Sequence, residues 1–375
     1  MIGINGRNGA EQITMKVVRL LAILLPFIPV VLGASFNLVK AYQGHDFFNG
    51  WDFYGVNDST RDNTTNGHHS RDNTSVIPYL QKRNTVKITS TDSYQPGTIW
   101  VFDATHLPYG CAVWPAFWTK GLDWPRQGEI DIVEGVNKQT ANQMALHTSN
   151  GCNAAQGTQM QGKLGNTNCN STDGAGCTVA ETIPNSYGED FASNGGGVWA
   201  TQFDTSGIFI WFWSRSNIPS DISSGGNSVD PSTWGTPSAS YPASSCDINQ
   251  FFGAQQLVID ITLCGDWAGV PSIYQPQCGG DGSAQGCYVN SVINDGSQKF
   301  AQAYFEINYV KAFGVNSSVI SSSGAATPTG SGGGSSPTSG AGSSGSASDA
   351  SVASLSAAWG ILSATTLACI AVITL

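Results

Sequence analysis

Between Ser35 and about Val315 no long segment of the chain carries helical periodicity. Short runs of aromatic and β-branched residues recur instead, separated by clusters of Gly, Asn, Ser and Pro. Such runs suit a pleated surface, and the clusters suit the turns between strands. Thr98–Phe102 is one run, Ile208–Trp213 a second, Leu257–Leu263 a third and Ala303–Phe313 the last. Several are apolar on both faces. That implies strands packed on two sides, or strands with one face in a core and the other lining an aromatic cleft. The expected fold is all-β, a single sandwich or jelly roll. The 375 residues are 40% hydrophobic and include 45 glycines, enough for a sizeable core and many turns. Only 11% are charged and the net charge is -10. An acidic chain is a poor partner for a phosphate backbone, so nucleic acid is not an expected partner. Neither a GxxxxGK[ST] loop nor a GxGxxG turn opening a helix is present, which argues against nucleotide chemistry.

The two ends read as addresses. Residues 1–34 form a secretory signal region: Lys16 and Arg19, an apolar run from Leu20 to Leu32, then small residues at Gly33 and Ala34, with Met15 the expected start. Pro26 and Pro29 interrupt the run, which is shorter than the roughly 20 residues that span a bilayer. A membrane anchor is the alternative. Residues 35–315 form the expected globular domain, 316–345 a Ser/Gly-rich stalk, and 346–375 a glycosylphosphatidylinositol (GPI) attachment propeptide ending in an apolar tail. A plain tail anchor is the alternative there. The expected location is extracellular, with the membrane reached only through a lipid anchor. Of nine cysteines, Cys369 lies in the tail, and the remaining eight suggest disulfides. Cys278 and Cys287 bracket a Gly-rich loop and are expected to pair locally. No two cysteines have the CxxC spacing of a zinc site. Sequons at Asn57, Asn63, Asn73, Asn170 and Asn316 suit a glycosylated exterior. Arg61-Asp62-Asn63-Thr64 recurs as Arg71-Asp72-Asn73-Thr74 around His68-His69. This is read as a solvated loop, with a metal-binding His pair as the alternative.

The most informative segment is Gly128-Glu129-Ile130-Asp131-Ile132-Val133-Glu134-Gly135. A strand sends alternate side chains to opposite faces, so Glu129 and Asp131 share one face and Ile130 and Ile132 the other. Strict alternation would place Val133, not Glu134, with the acids. One extra residue in a β-bulge returns Glu134 to the acidic face. Three acids on one face repel one another, and a structural strand has little reason to carry them. Glycoside hydrolysis does need them: one carboxylate attacks the anomeric carbon while a second, protonated, donates to the leaving oxygen. A gap of about 5–5.5 Å between the two gives retention of configuration. An acidic calcium site or a solvated edge strand is the alternative.

Trp100, Trp114, Trp118, Trp124 and Trp267 lie near this segment or near glycine-rich turns. Indole rings stack on the apolar faces of sugars, although any single Trp could equally be core. His147 lies on the expected next strand, Met144 to Thr148, where it could bond substrate, tune Glu134 or be a satisfied core residue.

These residues resemble glycoside hydrolase family 16, and most closely its fungal laminarinase-like endo-1,3(4)-β-glucanases. Besides the ExDxxE segment, the resemblance rests on Phe47-Phe48-Asn49-Gly50-Trp51-Asp52-Phe53, Trp114-Pro115-Ala116-Phe117-Trp118, Met144 to Thr148, and Cys264-Gly265-Asp266-Trp267-Ala268-Gly269. It runs from about Phe36 to about Phe313. It implies a concanavalin-like β-jelly roll with a substrate cleft on the concave face. It also implies Glu129 as nucleophile, Glu134 as acid/base and Asp131 as the helper between them. Trp114, Trp118, Trp124, His147 and Trp267 would bind substrate. The activity implied is that of a monomeric, retaining endo-β-glucanase acting on β-1,3 or mixed-linkage β-glucan, with no cofactor and no catalytic metal. A wall-remodelling transglycosylase with the same residues and a non-catalytic glucan-binding module are the rivals. The chain departs from the family between Tyr54 and Val76, where it is short, and at Lys87, where an Arg is common.

Overall fold

Side-chain alternation on the strands divides the chain into two layers. The structure, a computed structural model, describes residues 35–54, 85–292, 299–316, 320–322 and 371–374. The segments expected to be a signal region, the duplicated Asn/His-rich run and most of the expected stalk and tail fall outside the described residues. The first strands are β1 (Phe36–Gln43), β2 (Trp51–Phe53), β3 (Lys87–Tyr94), β4 (Thr98–His106), β5 (Val113–Lys120) and β6 (Glu129–Glu134). Next come β7 (Gln143–His147), β8 (Lys163–Leu164), β9 (Cys177–Ala180), β10 (Gly197–Asp204), β11 (Gly207–Ser214) and β12 (Ser228–Val229). The last are β13 (Ala239–Pro242), β14 (Gln255–Leu263), β15 (Tyr304–Gly314), β16 (Ile320–Ser322) and β17 (Ala371–Thr374). One sheet runs β12-β1-β15-β4-β10-β11-β13, with β17 beside β15; the other runs β16-β3-β14-β5-β6-β7-β9-β8, with β2 beside β3. The pairings are antiparallel, which is the expected all-β sandwich of jelly-roll type. All four runs singled out in the sequence are strands, as is Met144 to His147.

Large apolar side chains hold the layers together. Phe102 of β4 stacks on Phe117 of β5 across the sandwich, with ring centroids 4.4 Å apart. Trp100 stacks on Phe203 at 5.6 Å and is buried, so it belongs to the core and not to a cleft. Each such ring contributes roughly 1.5–3 kcal/mol by leaving water. Strand β11 is apolar on both faces because both are covered. Ile208, Ile210 and Phe212 enter the central core. Trp211 points outward, into a second cluster with Ile222, Val229 and Trp234 from the segment between β11 and β13. Its indole N–H donates to the Gly235 carbonyl at 3.0 Å, and that of Trp234 donates to Asp221. Packing on two sides, not an aromatic cleft, therefore explains this run.

Four disulfides use all eight cysteines outside the tail: Cys111–Cys278, Cys152–Cys246, Cys169–Cys177 and Cys264–Cys287. The expected Cys278–Cys287 bridge is not made. Cys278 ends a helix, Pro271–Cys278, that delivers it to Cys111, while Cys287 meets Cys264 at the end of β14. Nearness in sequence was outweighed by these tertiary placements. The long connection between Thr148 and Cys177 is tied as expected, internally by Cys169–Cys177 and outward by Cys152–Cys246. At the chain's end, β17 pairs with Tyr304–Ile307 of β15, with Ala371 and Ile373 buried.

Candidate active site

Strand β6 lies between β5 and β7 in the nine-stranded sheet. Ile130, Ile132 and Val133 are all buried in the central core. Two consecutive residues thus face inward, and Glu134 returns to the side of Glu129 and Asp131. The pairing states the same thing. Asp131 is opposite Ala145 and Glu134 opposite Gln143, so Ile132 and Val133 together face the single residue Met144. The break also appears against β5, where Trp118 is opposite Asp131 but Phe117 is opposite Val133. This is the bulge that the carboxylate spacing requires.

A tight connection, Gly121 to Gly128, sets the start of β6. Gly128 has φ +71°, and a Cβ there would lie 2.2 Å from the Phe252 ring and 2.9 Å from the Phe251 carbonyl oxygen. The Gly128→Ala variant is expected to lose about 1–3 kcal/mol of stability, from backbone strain and a clash that the carbonyl cannot relieve. A urea unfolding midpoint checks this, and an unchanged midpoint would contradict the close approach.

Each glutamate receives an indole N–H. Trp124, carried by that connection and 49% exposed, donates from Nε1 to Glu129 Oε2 at 2.5 Å. Trp114 of β5 donates from Nε1 to Glu134 Oε1 at 2.7 Å. An indole can only donate, so both contacts fix a carboxyl oxygen without adding charge. The half-buried Trp267, on the short helix Gly265–Ala268, meets Trp114 edge to face at 5.8 Å. Trp118 lies one strand from the acids, donating from Nε1 to Asp260 at 3.1 Å beneath the Lys87 ammonium, 5.3 Å from its ring. Lys87 also lies over the Tyr54 ring at 5.5 Å. All five residues expected to bind substrate therefore gather around the three acids.

His147 stands opposite Glu129 across the β6–β7 pair, and its Nε2 lies 3.1 Å from Asp131 Oδ2. Burial pulls its pKa down, but the hydrogen bond to Asp131 and the charges of Asp131, Glu129 and Glu134 outweigh this and raise it to about 9. The ring is thus an imidazolium near neutrality, a cation set among three acids. Glu129, Asp131 and His147 offer oxygen and nitrogen atoms within 4.8 Å of one another, the spacing of a metal site. In its protonated form the imidazole has no lone pair to give, and the three residues then form an ion-paired cluster. The raised pKa implies stability that is fully present below about pH 6.5, the ordinary His value, and lost as pH rises through about 9. The expected loss is on the order of 3 kcal/mol. Melting curves between those limits check it; His147→Gln should flatten this portion of the profile, and an equally steep variant would refute it.

Sequence reasoning missed the amides that support this framework. Asn142 bonds both ends of the bulge. Asn137, at φ +56°, accepts from the Ala112 N–H and donates to the Ala268 carbonyl, tying the end of β6 to the Trp267 helix. Asn137 closes the segment Gly128 to Asn137 that carries the family resemblance, without its role being legible there, and Asn142 carries no local signal beyond its place before a strand.

Two buried glutamates on one face of a strand, each held by an indole donor and flanked by half-exposed tryptophans, are the arrangement that glycoside hydrolysis calls for. Over residues 50–313 the chain matches the family model described as XgeA-like, catalytic GH16 domain. It belongs to glycoside hydrolase family 16. It is 39% identical over 309 residues to a probable glycosidase of Schizosaccharomyces pombe, covering 76% of this chain and 71% of that protein. It is 36% identical over 323 residues to a probable endo-1,3(4)-beta-glucanase of Neosartorya fischeri, covering 79% of this chain but only 48% of that longer protein. Among solved structures it resembles Laminarinase 16A from Phanerochaete chrysosporium, seen with beta-glucans in donor and acceptor sites. The TM-score is 0.65 at 34% identity, over 75% of this chain and 100% of that one. An elongating family 16 beta-1,3-glucosyltransferase gives a TM-score of 0.62 at 35% identity, over 74% of this chain and 99% of that one.

Proposed function

We propose that the protein is a retaining endo-β-glucanase that cleaves β-1,3 and mixed 1,3/1,4 links in glucans of the cell-wall type. The reading rests on one observation above all: Glu129 and Glu134 share one face of bulged β6, opposite the core-facing Ile132 and Val133, each under an indole N–H. Two glutamates so close along one strand suit the gap of about 5–5.5 Å used in double displacement, not the wider gap of an inverting enzyme. Glu134, protonated, donates to the leaving glycosidic oxygen while a Glu129 oxygen bonds to the anomeric carbon. The leaving sugar departs as an alcohol. Glu134, now a carboxylate, takes a proton from water, whose oxygen displaces Glu129 and frees the second product. Asp131, ion-paired with His147, lies between the two glutamates and is the helper. Trp124 and Trp267 offer partly open rings to the sugar faces, Trp114 extends that surface along β5, and the buried Trp118 backs it.

The four disulfides support an oxidising compartment, in line with a secreted, monomeric enzyme whose propeptide, 346–375, is removed when the GPI anchor is attached. Asn170 and the exposed Asn316 are its described glycosylation candidates.

Release of reducing ends from soluble laminarin tests the reading; a folded, inactive protein would sink it. The similarity to an elongating glucosyltransferase favours a second reading, transfer of the glycosyl unit to another sugar. A labelled laminari-oligosaccharide acceptor separates the two. Labelled chains longer than the acceptor identify transfer, and hydrolysis predicts that they stay a minor product.

A further inference from the structure

A bulge on an interior strand leaves main-chain groups that the neighbouring ladder cannot serve. Between Asp131 and Glu134 two residues face one on β7, and the unmatched groups are buried. The side chain of Asn142 fills the gap. The Glu134 N–H donates to Asn142 Oδ1 at 2.9 Å, and Asn142 Nδ2 donates to the Ile132 carbonyl at 2.8 Å. The amide behaves as one additional peptide unit, offering an acceptor and a donor to the two groups that bracket Val133. Only an amide can do both at once; a carboxylate cannot donate and a hydroxyl cannot span the two.

Asn142 is itself held from every side. It is 1% exposed. Its own N–H donates to Ser186 Oγ at 3.1 Å, and its carbonyl accepts from the Glu181 N–H at 2.9 Å. The bulge is therefore braced from the segment between β9 and β10, which is remote in sequence. Beyond Glu134 the backbone is equally confined, since a Cβ on Gly135 would lie 2.7 Å from the Tyr187 ring.

We propose that Asn142 is the positioning residue that keeps the β6 bulge in register and so aims the Glu134 carboxyl at the leaving oxygen. This rests on the glucanase reading and deepens it. Loss of the amide leaves Glu134 in the chain but frees β6 to relax toward plain alternation, which turns that side chain toward the core. Proton donation then fails while Glu129, upstream of the bulge, still attacks. The consequence is selective. A sugar leaving group needs the proton; a dinitrophenolate leaving group does not. Azide, which needs no general base, can then displace Glu129 from the glycosyl-enzyme and form a glycosyl azide.

The test compares wild type, Asn142→Ala, Asn142→Asp and Glu134→Ala as full chains on laminarin and on a dinitrophenyl β-laminaribioside. Asn142→Ala is expected to lose about 10- to 100-fold in kcat on laminarin with KM within about twofold, a loss in the range of a displaced general acid. On the dinitrophenyl substrate its burst rate should stay within about threefold of wild type, and azide should raise its turnover as it does for Glu134→Ala. Asn142→Asp keeps the acceptor for the Glu134 N–H and should fall between wild type and Asn142→Ala. If Asn142→Ala does not fold, Asn142→Asp decides by the same substrate comparison. Equal losses on both substrates without azide gain would reduce Asn142 to a fold-stabilising role and overturn the proposal, as would wild-type kinetics on both. Those results leave an active wild type; a wild type inactive on both substrates would instead remove the glucanase reading, and this inference with it.

Discussion

Glu129→Gln and Glu134→Gln should each cut laminarin hydrolysis by about a thousandfold or more while leaving a folded protein, because each removes a group that the proposed mechanism uses to form or break bonds. The fold is expected to survive for a specific reason. Both substitutions are isosteric, and the amide oxygen still accepts from Trp124 or Trp114 as the carboxylate oxygen did. Each substitution relieves crowding among the three acids but gives up part of their attraction to the His147 imidazolium, so the melting temperature should change little. The two variants should then part company. An activated aryl substrate needs no acid, so Glu134→Gln should still form the glycosyl-enzyme from it, whereas Glu129→Gln should not. Wild-type turnover in either variant would remove the role given to that residue. A collapsed melting temperature would show instead that the charge held the strand.

Loss of the Cys111–Cys278 bridge should be the largest stability effect short of unfolding the core. Its two cysteines stand 167 residues apart in sequence, on either side of the Cys152–Cys246 bridge. Replacing both cysteines by serine is expected to cost about 2–5 kcal/mol, mostly through freedom returned to the unfolded chain. The effect should also reach the site. Cys278 Sγ lies 3.7 Å from Asn137 Oδ1, and Asn137 joins the end of β6 to the helix carrying Trp267. Activity on long glucans should therefore decline before the protein melts. Urea midpoints read together with laminarin turnover at sub-denaturing urea check this. Parallel loss of both signals would confine the bridge to global stability.

Much of this was legible because strands obey a parity rule. Glu129, Asp131 and Glu134 cannot share a face of a regular strand, so the spacing alone demanded the bulge, and Val133 is indeed in the core. The tryptophans were harder. Trp100 and Trp124 look alike in sequence, yet one is sealed between sheets and the other half exposed, a difference set by which strand or turn carries them. The continuous apolar run of β11 fitted a cleft as well as a second packing face, and only the return of Ile222 and Trp234 decides it. Pairing of the cysteines depended on where Pro271–Cys278 delivers its last residue. Asn142 was invisible for a plainer reason: a side-chain amide that completes a backbone ladder has no spacing of its own to betray it.

The doubled step at Ile132 and Val133 bears on how such a site can change over time. Removing either residue would restore even parity and leave three acids on the same face, two apart, with no unmatched peptide for Asn142 to serve. Two lengths of one strand can thus present the same working pair, one straight and self-sufficient, the other kinked and dependent on a distant prop. A single-codon deletion here is a phase shift that could leave the chemistry intact while making a remote asparagine redundant.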